Sequence, residues 1–187
     1  LPKHLYIVAS MNSLDRSTEP LDSALMRRFE QINLKPEYGV FAEHLGNSFT
    51  PGESELDADF ESASTGEIAL ALLWRVNQFM RAALGDDFQL GPGYLWEVSE
   101  VDDEYQLEAL SIAWDRKVMP KLQELFRARN DQLATLLRVD QELNGVSNPY
   151  QRLEISQEWA DVGLEDPIDF PAISDYPSQK QKAILHG

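Results

Sequence analysis

Apolar residues follow two different patterns along this chain, and the change occurs near Pro36. Before Pro36, the continuous apolar run at residues 5–9 predicts a buried strand, and the alternation at residues 31–34 predicts a second one. Between them, apolar side chains recur at helical spacing from Leu21 onward. Residues 1–36 therefore predict a strand, a helix and a strand, a unit with too little apolar surface to form a stable core alone.

After Pro36 the pattern becomes helical. A short helix is predicted at residues 38–45, followed by a polar loop over residues 46–65. Ser64 and Glu67 have the spacing of a capping box, and Gly85 ends the helix that this box begins. The apolar stripe of that helix consists of Ile68, Leu72, Val76, Phe79 and Ala83.

Two further helices are predicted beyond a turn at Gly91-Pro92-Gly93. Acidic residues at 102–104 favour a helix start because they oppose the positive end of the helix dipole. Pro120 starts or kinks the next helix. The apolar positions of these helices are Leu107, Leu110 and Trp114, then Leu122, Leu125, Phe126, Leu133, Leu136 and Leu137.

From Asn144 onward the helical period fades, and glycines and prolines become frequent. This predicts a partly extended appendage with one short helix near residues 156–162. Trp159, Phe170 and Tyr176 are expected to pack it on the helices. The chain is thus expected to be mainly α, with a core remnant at 1–37, a helical unit at 38–143 and an acidic appendage at 144–187.

Charge and composition narrow the classes of function. With 32 acidic and 16 basic residues, the net charge of -16 disfavours direct DNA binding, because nucleic-acid affinity depends on lysine and arginine. A basic protein partner fits this charge, as does a simple solvated surface. The chain has no cysteine, which fits a reducing, cytoplasmic setting. No apolar run approaches the ~20 residues of a membrane span.

Candidate chemistry is concentrated near the start of the chain. Asn12 follows the first predicted strand, where a neutral amide can hold an attacking water in line with a γ-phosphate. It could equally cap a turn through its side chain. Arg27 and Arg28 can stabilise charge that develops on a phosphoryl group, since a guanidinium stays protonated and presents a fork of donors. A solvated basic pair is the alternative.

The order of these features resembles that of AAA+ NTPases. A strand followed by Met-Asn, Asp-Arg-Ser, Ala-Leu, an arginine run and Phe, here SMNSLDRSTEPLDSALMRRFEQINLKP, is most similar to the McrB branch. The resemblance implies that Asn12 is sensor 1 and that Asp15 and Arg16 brace an interface. It also implies that Arg28 is the arginine finger, with Arg27 the second candidate.

Weaker likenesses extend the resemblance to about residue 137. FQLGPGYLW occupies the place of the Gly-His-Ser-Tyr segment of McrB-type proteins, and AWDRKVMPKLQELF resembles a helix of their lid. The family's His-Ser is Pro92-Gly93 here, and no sensor-2 arginine is assigned.

Several other sequence patterns do not predict a functional site within this chain. Residues 136–142 imitate a Walker B strand, but Arg138 interrupts the apolar run. The sequence has no Gly-Lys pair, so the phosphate loop is expected upstream of Leu1, and the chain is expected to be a piece of a longer protein. The three histidines lack metal-ligand spacing, so no metal site is predicted.

McrB-type proteins hydrolyse GTP or ATP with Mg²⁺ as ring oligomers and drive modification-dependent DNA restriction with a nuclease subunit. The resemblance implies the same here, with a hexameric ring, DNA contacts only through upstream regions, and no activity of this segment alone. Two alternatives remain open. One is a MoxR or dynein-related ATPase that remodels proteins, and the other is a non-enzymatic helical adaptor.

Overall fold

The computed structural model describes residues 4–9, 27–30, 32–47, 60–163 and 165–187, and this part of the chain is mainly helical, as predicted. Its α-helices are α1 (Tyr38–His44), α2 (Thr65–Ala83), α3 (Gln106–Ala113), α4 (Met119–Leu125), α5 (Asn130–Leu136), α6 (Gln157–Asp161) and α7 (Ser178–His186). Its strands are short and form two antiparallel pairs, β1 (Glu142–Leu143) with β2 (Val146–Ser147) and β3 (Gln151–Arg152) with β4 (Ile168–Asp169).

Helix α2 is the central element. The predicted capping box at its start is confirmed: the Glu67 backbone N–H donates to Ser64 Oγ at 3.2 Å, and the Ser64 N–H donates to Glu67 Oε2 at 2.7 Å. The helix stops before Gly85, whose φ of +112° suits a residue without a Cβ. Helices α1, α3 and α7 all pack against α2, so its buried face is wider than the predicted stripe.

The helix that was predicted to carry residues 122–137 is two helices, which corrects the prediction. Helix α4 ends at Leu125, and α5 begins at Asn130 after a turn in which the Arg129 backbone is not helical, with φ -143° and ψ 51°. Arg129 donates to the Ala83 carbonyl at 2.8 Å and so fixes this turn to the end of α2. Since both helices face one core, their apolar spacing did not reveal the break.

Pro120 lies just beyond a wide helical turn, the π-helix Trp114–Val118 that joins α3 to α4. Proline has no N–H and its ring collides with the carbonyl four residues before it. The wider π turn accommodates both effects, so the chain changes helix type without leaving the core.

The C-terminal residues belong to the same core as the helices. Tyr150, Ile168, Ile173 and Leu185 are buried among residues of α2, α3 and α4. The short helix predicted near residues 156–162 is confirmed as α6.

Two predictions about this segment are wrong. Helix α7 was not predicted, because its apolar residues are confined to one short stretch. Phe170 and Tyr176 do pack against the core as expected, but Trp159 is 56% exposed and does not.

The predicted strands near the start of the chain are not formed in the described residues. Residues 5–9 and 32–37 have no regular secondary structure, and Tyr6, Val8 and Leu34 are largely exposed. A strand requires a neighbour for its backbone N–H and C=O groups, and the described residues provide none here. The helix predicted between them lies outside the described residues except for its end, which is a turn at Arg27 and Arg28.

Candidate functional site

The residues predicted to carry chemistry are only partly described by the structure. Asn12, Asp15 and Arg16 lie outside the described residues, and their roles stay predictions. Arg27 and Arg28 are described, and both lie in an exposed turn. Phe29, which follows them, is 40% exposed.

Arg27 and Arg28 are accessible to a ligand or a second protein. Within the described residues, no carboxylate lies within ion-pair distance of either guanidinium. A guanidinium presents a planar fork of N–H donors, so an exposed arginine can bind a carboxylate or a phosphate group. The geometry is compatible with a finger that reaches outward, and equally with a solvated pair.

A second set of polar residues lies inside the helical unit, where Asn77 of α2 joins three elements. Its Nδ2 donates to the Tyr38 hydroxyl at 2.8 Å and to the Leu90 carbonyl at 2.8 Å, and its Oδ1 accepts from the Leu90 N–H at 2.6 Å. Burial raises the pKa of Tyr38, so its hydroxyl stays neutral at physiological pH. Asn77 thereby positions the Gly91-Pro92-Gly93 loop and α1 against α2.

The π-helix carries a second connection, through Asp115. Its carboxylate accepts the backbone N–H of Ile173 at 2.9 Å and of Ser174 at 2.8 Å. Beside it, Trp114 Nε1 donates to the Tyr150 hydroxyl at 2.7 Å. Burial raises the pKa of Tyr150 well above its ordinary value. These bonds fix the C-terminal segment to α3 and α4.

A small cavity lies between α2 and the C-terminal segment. Arg75, Trp114, Arg138 and Tyr150 contribute to its lining, and its volume is about 30 Å³. Arg75 donates to the carbonyls of His186 at 3.0 Å and Leu185 at 3.4 Å, at the end of α7. Burial, with the charge of Arg138, lowers the pKa of Arg75 to about 10, so it remains a cation at neutral pH.

This cavity does not fit a nucleotide, because a ligand of that size occupies roughly 300 Å³ or more. Among the described residues, no group of three histidine or carboxylate side chains could hold a metal ion. Also among these residues, no helix has both the length and the apolarity needed to cross a membrane.

Arg75, Asn77 and Asp115 were not predicted as functional residues. Each is a polar residue in a helical pattern, and sequence spacing alone does not distinguish a buried polar side chain from a solvated one. What distinguishes such a buried polar side chain from a solvated one is its hydrogen-bond partner, which lies 13 to 111 residues away along the chain.

Part of the chain matches a known family. Residues 69–134 match the family model described as McrB, alpha-helical lid domain. The matched range begins inside α2 and ends inside α5, so it contains Arg75, Asn77, the Gly91-Pro92-Gly93 loop and the π-helix. Comparison with curated proteins and with solved structures gives no match.

Proposed function

The chain carries the alpha-helical lid segment of an McrB-like AAA+ protein, and we propose that it is the C-terminal part of a nucleoside triphosphatase that uses ATP or GTP with Mg²⁺. The lid match at residues 69–134 is the observation that carries this proposal. The lid supplies a rigid helical body, and the phosphate loop and metal-binding carboxylates belong to a segment that precedes Leu1. Residues 1–187 alone are then inactive.

The exposed apolar side chains near the start of the chain support this proposal. Four of them are exposed in the described structure: Leu5, Ile7, Ile32 and Leu34. Leu5 and Ile7 belong to a continuous apolar run, and Ile32 and Leu34 alternate with polar residues, as in strands. In a complete α/β core these segments join the sheet, where neighbouring strands pair their backbone groups and helices cover their side chains.

In this proposal, residues near the start of the chain act on the nucleotide. Asn12, as sensor 1, holds the attacking water in line with the γ-phosphate through its neutral amide. Arg28, with Arg27 as the second candidate, reaches the nucleotide of the adjacent subunit and stabilises the charge that develops during transfer. Asp15 and Arg16 brace that interface.

The biological task we propose is that of a motor in a modification-dependent DNA restriction system, with ring-forming subunits and a nuclease partner. The net charge of -16 means that this part of the protein repels DNA. Contacts to DNA therefore belong to another part of the full-length protein.

Replacing Asn12 tests the proposed chemistry. In the full-length protein, Asn12→Ala is expected to slow hydrolysis by about two to three orders of magnitude, the effect of losing one preorganised donor. Nucleotide affinity is expected to change little, because Asn12 contacts the water rather than the triphosphate. Single-turnover hydrolysis and calorimetric titration with a non-hydrolysable analogue measure the two quantities separately.

Asn33→Ala is the matched control, since Asn33 is an exposed asparagine on the other predicted strand segment. It is expected to leave both quantities unchanged. If Asn12→Ala weakens binding as much as it slows hydrolysis, Asn12 is a structural residue of its turn.

A further inference from the structure

The connection between β3 and β4 is exposed over most of its described residues. Its base is closed by the Leu153 N–H, which donates to the Pro167 carbonyl at 2.8 Å, and by the Ile155 N–H, which donates to Asp166 Oδ1 at 3.2 Å. Beyond this base, every residue from Ser156 to Gly163 is exposed. We call residues 153–163 the tip segment; it contains all of α6.

The tip segment exposes large apolar side chains that the rest of the chain does not cover. Trp159 is 56% exposed, Val162 75% and Leu153 49%. Trp159 and Val162 are three residues apart on a helical turn, so they lie on the same face. Helix α6 has five residues and buries none of them, and a helix this short gains little stability by itself.

Exposure of this kind is characteristic of a docking surface. Tryptophan is among the residues that most often dominate the binding energy of protein interfaces. The chain's other tryptophans, Trp74, Trp96 and Trp114, are all packed into or against the core. Trp159 is therefore the tryptophan that the fold leaves available for a contact.

The charge around the tip segment indicates what it contacts. Residues 153–170 include no lysine or arginine, whereas they include the carboxylates Glu154, Glu158, Asp161, Glu165, Asp166 and Asp169. Within the described residues, none of these carboxylates forms an ion pair. Arg152, at the edge of the segment, already forms an ion pair with Asp131, with 2.8 Å between Nη2 and Oδ1.

We propose that the tip segment docks a different protein, which presents an apolar side chain flanked by lysine or arginine. The apolar face of Trp159 and Val162 would receive the apolar side chain, and Glu158 and Asp161 beside them would face the basic residues. Nucleic acid and anionic lipid are repelled by the same carboxylates. The tip segment of a second copy is disfavoured as the occupant, because it presents carboxylates and no lysine or arginine. This inference is independent of the proposed nucleotide chemistry.

Selection from a random displayed peptide library against the 187-residue chain tests the proposal without assuming a partner. The selected peptides are expected to share lysine or arginine beside an aromatic or branched apolar residue. Synthetic peptides of that consensus are expected to bind Trp159→Ala at least about tenfold more weakly, as for other interface tryptophans. Because Trp159 is not part of the core, this variant keeps the fold.

Tyr105→Ala is the matched control, since Tyr105 is a similarly exposed aromatic residue outside the tip segment. It is expected to bind the peptides as the wild type does. A double variant, Glu158→Lys with Asp161→Lys, is expected to reject the basic peptides and select acidic ones.

Three results would overturn the proposal. One is a selection that gives no binders, or binders that are acidic or uncharged. Another is peptide binding that Trp159→Ala does not weaken. The third is a dimer of the wild-type chain in sedimentation that becomes monomeric in Trp159→Ala, which would make a second copy the occupant.

Discussion

Asn77 joins helix α1 and the loop that begins at Leu90 to helix α2. It makes three hydrogen bonds from a fully buried position, and two of them satisfy the backbone N–H and carbonyl of the buried Leu90. In Asn77→Ala, the backbone N–H and carbonyl of Leu90 lose their hydrogen-bond partner while they remain buried away from water. The cost of each buried unsatisfied group is about 1–3 kcal/mol.

We therefore expect Asn77→Ala to lower the free energy of unfolding by about 2–5 kcal/mol, measured by urea denaturation. The neighbouring Gln78 is exposed, and Gln78→Ala is expected to change stability by less than about 0.5 kcal/mol. Equal effects of the two substitutions would show that the buried network contributes nothing specific.

Tyr150 is expected to make stability depend on alkaline pH. Burial raises its pKa in the folded protein, whereas in the unfolded chain it titrates near pH 10. Above about pH 10 the unfolded state loses this proton first and is stabilised relative to the folded state. The contribution of Tyr150 to the free energy of unfolding is therefore fully present below about pH 10. It falls as pH rises further, by up to about 1.4 kcal/mol per pH unit.

Tyr150→Phe is expected to reduce this fall, when the free energies of unfolding at pH 9 and pH 11 are compared. Tyr6→Phe is the control, because Tyr6 is almost fully exposed and its substitution should leave the slope unchanged. An unchanged slope in Tyr150→Phe would mean that Tyr150 ionises equally easily in both states.

At the scale of elements, α7 shows how closely the C-terminal segment is joined to the lid. Leu185 is 1% exposed, and α7 packs against both α2 and α3. Its end is also held by Arg75. An appendage that folds separately would tolerate loss of this contact, but a part of the core would not.

Leu185→Ala is accordingly expected to destabilise the whole protein in one transition, by about 2–5 kcal/mol. Gln179→Ala, at an exposed position of the same helix, is the control and should be close to neutral. Tryptophan fluorescence and circular dichroism should report the same midpoint. Separate midpoints would show that residues 144–187 unfold independently of the helices.

The elements that sequence predicted best are those with local signals. Helix α2 has a capping box, a helical period and a terminal glycine, all of which act within a few residues. Helix α7 has one short apolar stretch and depends on α2 and α3 for its burial. The break between α4 and α5 was missed because the core lies on the same side of both helices.

The candidate functional residues also divide into those with a local sequence signal and those without one. Asn12, Asp15, Arg16 and the pair at residues 27–28 form a motif that is contiguous in sequence, so a resemblance could suggest their roles. Asn77 and Asp115 function through partners that only folding brings near. The exposure of Trp159 was also invisible to sequence, since an aromatic residue in an acidic segment reads as a packing residue.

At the scale of the whole molecule, we propose that Arg28 of one subunit acts on the nucleotide bound to the next. Arg28 is the residue that tests it, because a finger acts across an interface. In the full-length protein, Arg28→Ala should still bind nucleotide and form rings while hydrolysis falls by about 10³-fold or more. Arg127→Ala is the control, because Arg127 is an exposed arginine in the turn between α4 and α5, and it is expected to leave hydrolysis unchanged.

The most direct measurement is hydrolysis by mixed rings of two inactive full-length variants, Arg28→Ala and a variant whose phosphate-loop lysine is replaced. Some interfaces in such rings join an intact phosphate loop to an intact Arg28. We expect these interfaces to restore nucleotide hydrolysis that neither variant has alone. If mixed rings form, as shown by native mass spectrometry, and hydrolysis stays at the level of the separate variants, then Arg28 does not act on the neighbouring subunit.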